Sequence, residues 1–180
     1  TLGEAPLPNF LVDVTSDQPY YLPGETIRGT LTAAYFFGQP VAGAQVALRL
    51  IGERLGDDVT ADAQQQFIQV DNGATDDNGQ YRFEFRVPDL PAAAFNAKGT
   101  VSLQIEANVV DVTGDAEFGW KSLALAREPL LISVTPEDGT LHAGVENVLY
   151  VLTSAPDGSP VPAQLQIKIG SGAVIEAATD

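Results

Sequence analysis

Apolar and polar residues alternate in short runs along most of the chain, and Gly, Pro, Asn and Asp separate the runs. Val46, Leu48 and Leu50 alternate with Gln45, Ala47 and Arg49. Successive side chains of a strand point to opposite faces, so this pattern predicts a half-buried strand over Ala44–Ile51. The same reading predicts strands at Phe10–Thr15, Thr26–Phe37, Tyr81–Val87, Val101–Val109 (the longest) and Phe118–Ala126, with a short one at Phe67–Val70. Turns fall at Pro19–Gly24, Gly38–Pro40 and Asp111–Asp115, and Pro88–Gly99 reads as a loop. Asp71–Gln80 holds two Asn-Gly steps, which predicts a hairpin. Leu2–Asn9 reads as an extended lead-in, and the acidic stretch Gly52–Gln66 as a long, mobile connection. No segment sustains a helical period, and about seven strands at such spacings predict a sandwich.

The pattern then recurs. Shifted by 120 residues, Val12, Val14, Thr15, Gly24, Gly38, Pro40 and Val41 fall on Ile132, Val134, Thr135, Gly144, Gly158, Pro160 and Val161. With one residue dropped, Val46, Leu48 and Leu50 fall on Leu165, Ile167 and Ile169. A repeat decides architecture before any single element does. The expected fold is all-β: tandem antiparallel β-sandwiches of fibronectin- or immunoglobulin-like architecture, the second one truncated. The division is expected at Arg127–Pro129, with one domain over residues 1–127 and the N-terminal part of a second over 128–180. In the second, Val145–Ser154 is expected to pair with Ala163–Ile169 through the turn at Asp157–Gly158. Gly170–Gly172 breaks the run and Ala173–Ala178 starts a further element.

The net charge of −15 changes the picture by exclusion. Nucleic acid is an unsuitable partner, because its binding needs Lys and Arg to displace counterions. No run of 18 apolar residues exists, so no membrane insertion by this segment is expected. The absence of cysteine removes disulfides, thiol catalysis and thiolate metal sites. A chain that begins at Thr1 and has no Met reads as an internal piece of a longer protein.

Candidate chemistry is sparse. His142, the single histidine, sits in a turn. Asp71, Asp76, Asp77 and Asn78 are crowded, with Asp57, Asp58 and Asp62 nearby in sequence, and calcium takes six to eight oxygens. The EF-hand spacing fails, since Gly79 at its sixth position puts Ala74 first and Phe85 twelfth. Phosphate-binding glycine loops are absent. Tyr20, Tyr21, Tyr35, Phe36 and Phe37 form aromatic runs in which alternate residues face the core. Phe118 and Trp120 share one face of the last strand, where an outward aromatic can mark a contact with a neighbouring domain. No catalytic, cofactor-binding or metal-ligating residue is assigned, no cofactor is expected, and the chain is not expected to be an enzyme.

The run LPNFLVDV at Leu7–Val14, followed by PYYLPGETIRGTLTAAYFFGQPVAGAQVALRL, resembles the macroglobulin domains of the alpha-2-macroglobulin and complement thioester-protein superfamily. The resemblance is to the third such domain, through Leu7, Pro8, Phe10 and Val12 and then Tyr35, Phe36, Phe37, Gly38, Pro40, Val41 and Gly43. PLLISVTPEDG and PDGSPVPAQLQIKIG resemble the fourth, with Pro156, Asp157, Gly158, Pro160 and Val161 at the turn. Ala178–Asp180 is similar to the start of a Thr-Asp-x-x-Gly turn whose first copy is Thr75–Gly79. The resemblance implies a non-catalytic scaffold segment of an extracytoplasmic protease-trapping inhibitor, whether secreted, periplasmic or at the cell surface. Its implied partners are neighbouring domains of the parent protein, and a protease only through the full-length protein. The family's thioester needs a cysteine that this chain lacks, and no bait-like insert is evident. Two alternatives stay open: a surface adhesion or stalk repeat, and a calcium- or carbohydrate-binding accessory module.

Overall fold

The computed structural model describes residues 8–52, 68–87, 89–90, 92–96, 98–168, 170, 172 and 174–180. Among these, eight strands precede Arg127: β1 (Phe10–Ser16), β2 (Tyr20–Tyr21), β3 (Thr26–Tyr35), β4 (Gln45–Gly52), β5 (Ile68–Ala74), β6 (Gln80–Arg86), β7 (Thr100–Val110) and β8 (Ala116–Ala126). They form a three-stranded sheet, β1-β3-β6, and a five-stranded sheet, β2-β8-β7-β4-β5. Every pairing is antiparallel except that of β2 with β8. The fold is all-β and sandwich-like, as the alternation predicts.

The inward residues of both sheets make one core. Phe10, Val14, Ile27, Leu31, Phe83 and Phe85 come from the smaller sheet, and Leu48, Leu50, Leu103, Ile105, Leu123 and Leu125 from the larger. Burying each such side chain contributes about 1.5–3 kcal/mol, which makes the alternation the main determinant of the fold. Two glycines permit close packing, Gly119 between the two layers and Gly29 within the smaller sheet. A Cβ on Gly119 would sit 2.8 Å from both Cγ1 and the carbonyl oxygen of Val12. A Cβ on Gly29 would strike the Phe83 ring and the Thr15 carbonyl.

Asp71–Gln80 does not make a hairpin. β5 pairs with β4 in the larger sheet and β6 with β3 in the smaller, so the turn at Thr75–Gly79 carries the chain across the sandwich. Asn72–Gly73 lies within β5, and Gly73 leaves room for the Tyr81 ring. Asn78–Gly79 does turn, with Gly79 at φ 70°. The crossing is pinned by Thr75, whose hydroxyl accepts from the Ala44 amide (2.9 Å) and donates to the Val41 carbonyl (2.6 Å). Within Pro19–Gly24, Tyr20–Tyr21 forms the parallel strand β2, and the turn begins only at Leu22. The expected connection after Gly52 lies outside the described residues, as does nearly all of the lead-in.

Four strands follow Arg127: β9 (Leu131–Pro136), β10 (Leu149–Ser154), β11 (Gln164–Lys168) and β12 (Val174–Ala178). β9 pairs with β10 and β11 with β12. Val145–Ser154 therefore does not pair with Ala163–Ile169; the chain after β10 returns to it only at an isolated bridge, Ser154 to Pro160, ahead of β11. Pro160 and Pro162 have no N–H to extend a ladder, so the chain leaves after one bridge and begins a different strand pair. Pro40 does the same after β3, with a bridge to Ala34.

The repeat holds at the level of register. Val12 faces Ala33 and Val14 faces Leu31; 120 positions on, Ile132 faces Thr153 and Val134 faces Val151. Gln45 faces Ala74 and Arg49 faces Val70, as Gln164 faces Ala178 and Lys168 faces Val174. The turns match bond for bond: Tyr35 N to Gln39 O at 2.9 Å and Ala155 N to Ser159 O at 2.8 Å, Val41 N to Ala33 O at 3.0 Å and Val161 N to Thr153 O at 3.1 Å. β9 to β12 thus repeat β1, β3, β4 and β5.

Candidate functional site

At one end of the sandwich three connections meet: Phe36–Ala44, Thr75–Gly79 and Asp111–Asp115. Asp111, closing the β7–β8 turn, is buried. Its Oδ1 accepts from the Thr113 hydroxyl (2.7 Å) and from the Thr113 and Asp115 amides, while Oδ2 accepts from the Tyr35 hydroxyl (3.0 Å). These donors, the Thr113 hydroxyl foremost, hold its carboxyl down from the usual 3.8 to about 2, against the opposing effect of burial. The bond to Asp111 in turn raises the Tyr35 phenol. Tyr35 also stacks on Phe37, with centroids 5.5 Å apart. Both carboxylate oxygens of Asp111 are engaged, Oδ1 in closing its own turn and Oδ2 in holding Tyr35. The group is a structural clasp and is not poised to move a proton.

At the other end, Tyr21 is fully buried and donates to Asp17. Burial first, and then this bond, push its phenol up to about 12. Here too the polar tip of a core side chain is consumed by a neighbouring loop.

The sequence-level candidates separate in space. Asp71 lies in β5 beside Tyr81, whose phenol is raised by burial and then by its bond to Asp71. Asp76 Oδ1 accepts from the Asn78 and Gln80 amides at 2.9 Å, a turn bond. Asp57, Asp58 and Asp62 lie outside the described residues. Among the described residues, no group of three or more His, Asp or Glu is placed to hold a metal ion. His142 is exposed, with Nε2 3.3 Å from the Thr140 hydroxyl and its amide donating to Asn147.

The outer face of the five-stranded sheet is different. Phe118 and Trp120 project from β8 and are 74% and 68% exposed. Cross-strand register places Trp120 beside Glu106 and Glu106 beside Arg49; one row along, Phe118 lies beside Asn108 and Asn108 beside Ala47. The rings and polar side chains wall a groove of about 430 Å³. The alternation shows that Phe118 and Trp120 share a face. Which β4 and β7 residues stand beside them follows only from the register.

Residues 4–94, just over half of the chain, match the family Macroglobulin domain MG3. The chain belongs to this macroglobulin family. The matched stretch takes in β1 to β6, including the Pro40–Ala44 connection and the Thr75 crossing. Solved alpha-2-macroglobulins have a similar fold. That of Escherichia coli in its native conformation is 11% identical, with a TM-score of 0.55 over 98% of this chain and 13% of its own. That of Salmonella, reacted with methylamine, is 11% identical, with a TM-score of 0.56 over 98% of this chain and 14% of its own. The E. coli protein activated by porcine elastase is 13% identical, with a TM-score of 0.55 over 88% of this chain and 15% of its own. At these identities the likeness is one of fold, and this macroglobulin chain spans about one seventh of those proteins' length. No curated protein matches it in sequence.

Proposed function

We propose that the chain is a non-catalytic scaffold segment of an extracytoplasmic alpha-2-macroglobulin-like inhibitor that traps proteases. On this reading residues 1–127 are one macroglobulin-like domain and 128–180 the N-terminal part of a second. The observation that carries the reading is the repeat itself. A macroglobulin sandwich is followed by the same strand pairs, in the same register, with the same Pro-Val turn. Tandem units of one design are what a serial framework is built from, and their polar residues are spent on turns. The family match supports the superfamily, and the low-identity likeness to bacterial alpha-2-macroglobulins supports a framework role. The partners are then the neighbouring domains of the parent protein, and a protease is met only through the whole molecule.

The test is to mix the purified chain with trypsin or elastase and follow cleavage of a large protein substrate and of a small chromogenic peptide. A scaffold segment leaves both rates unchanged and hydrolyses neither substrate itself. Stoichiometric protection of the large substrate alone would show that trapping resides in these 180 residues, and the division of labour would be wrong.

A further inference from the structure

We propose that the outer face of the five-stranded sheet, between the Phe118–Trp120 pair and Arg49, binds a neutral, linear oligosaccharide. The proposal goes beyond the scaffold reading and does not depend on it.

Four observations converge on that ligand. First, Phe118 and Trp120 stand on the same strand two positions apart, about 7 Å at a strand's rise. Both point away from the core and are largely exposed, so folding does not account for them. Their rings stand in line along the strand, on one face of the sheet. An aromatic face is electron-rich, and the C–H-bearing face of a pyranose is its natural complement.

Second, the neighbouring strand sets Gln104, Glu106 and Asn108 on the same face, in step with the rings. These planar amide and carboxylate groups suit the hydroxyl edges of a sugar whose flat face lies on the aromatics. Ala47, a bare methyl beside Asn108, lowers the floor and leaves the groove of about 430 Å³. That volume falls in the range of small-ligand sites, which combine apolar walls with a few placed polar groups.

Third, the charges of the groove cancel. Arg49 Nη1 lies 3.8 Å from Glu106 Oε2, so the lining offers no net attraction to an acidic or a basic segment, although the chain as a whole carries −15. A neutral ligand is the complement of a locally neutral face. Fourth, Asn108 Oδ1 is enclosed and has no donor. A buried acceptor left unpaired is costly, and a turn of the Asn108 amide about its soft terminal torsion would bring it into the groove, where a sugar hydroxyl supplies the missing hydrogen.

Trp120 is the only tryptophan, so intrinsic fluorescence reports on the groove alone. The full chain is titrated with cellohexaose and, separately, with the hexamer of N-acetylglucosamine. The expected result is a saturable change in emission with at least one of them, weakened about tenfold or more in Phe118→Ala and also weakened in Asn108→Ala. Phe118→Ala retains the reporter, and its ring lies outside the core, so its thermal midpoint should match that of the parent. Unchanged emission with both sugars overturns the proposal. So does a saturable change that both substitutions leave intact. Concentration-dependent self-association by light scattering, abolished by Trp120→Ala in the absence of any sugar response, would assign the face to a second copy and overturn it as well.

Discussion

The two halves of the chain share a register and differ in cover. Val14 in β1 is 3% exposed, while Val134, its counterpart in β9, is 56% exposed. The hydrogen bonds to the paired strand are the same in both places. What differs is the layer on the other side: β6, β7 and β8 complete the first sandwich, and the described residues after Arg127 hold no counterpart of them. The register within each strand pair therefore goes with shared local features, namely alternation, a Gly-x-Pro-Val turn and a threonine at the crossing, while burial is set by strands far away in sequence. Position 29 shows this in a single side chain. Gly29 yields its space to the Phe83 ring of β6, and its counterpart 120 residues on is Leu149, in a half whose described residues hold no counterpart of β6.

The largest test of this contrast is cavity formation. Leu48→Ala removes a fully buried side chain and should cost about 2–5 kcal/mol. Ile167→Ala, at the matching position in a partly exposed strand, should cost well under half of that. Urea denaturation followed by far-UV circular dichroism, with hydrogen exchange to localise each effect, reads both. Equal losses would mean that the second half is as well covered as the first.

The crossing threonines come next. Thr75 is buried and serves two backbone groups, so Thr75→Val, which leaves them unsatisfied, should lower stability by about 1–3 kcal/mol. Thr179 accepts from the Ala163 amide at 3.0 Å, but Thr153 takes the Val161 carbonyl at 2.7 Å. With that work shared and the site closer to water, Thr179→Val should cost about 1 kcal/mol or less. A larger loss from Thr179→Val would invert the ranking of the two halves.

The smallest test is acid dependence. The carboxyl of Asp111 is depressed in the folded chain, so its contribution is fully present above the unfolded value near 3.8 and is lost as pH falls towards about 2. The gap in melting temperature between the parent chain and Asp111→Asn should therefore be widest near neutrality and close between about pH 4 and pH 2. Asp157 is also lowered, chiefly by the Ser159 hydroxyl, but it is exposed, and Asp157→Asn should move the curve less. A gap that stays constant down to pH 2 would show that Asp111 acts through shape and not through charge.

How far these features were legible in the residues follows the same division. β4, β6 and β7 are plain from strict alternation, because each has one face in the core. The repeat is plain because its turns need Gly and Pro at fixed places. β2 has two residues and no period to detect. The Asn72–Gly73 step looks like turn chemistry, yet Gly73 serves the packing of Tyr81, a partner that lies across the sandwich. The exchange of strands between sheets after Pro40 and Pro160 is a long-range choice, and the local pattern fits a hairpin equally well. On the outer face, the shared orientation of Phe118 and Trp120 was legible. Asn108 and Arg49 enter only through cross-strand register, which no single run contains.

The path of the chain through the first sandwich has a mechanical consequence. It enters β1 at Phe10, paired with Tyr35 at the end where the Pro40 and Thr75 connections meet, and leaves β8 at Ala126, paired with Thr100 at the opposite end. β1 and β8 thus run the same way through different sheets. Tension applied through the two ends would load the seven-residue pairing of β1 with β3 along its length, so that its bonds must yield together and not one after another. A unit threaded in this way transmits a pull from one end to the other with little stretch, as a tie rod does, and its lifetime under load is governed by its unfolding rate.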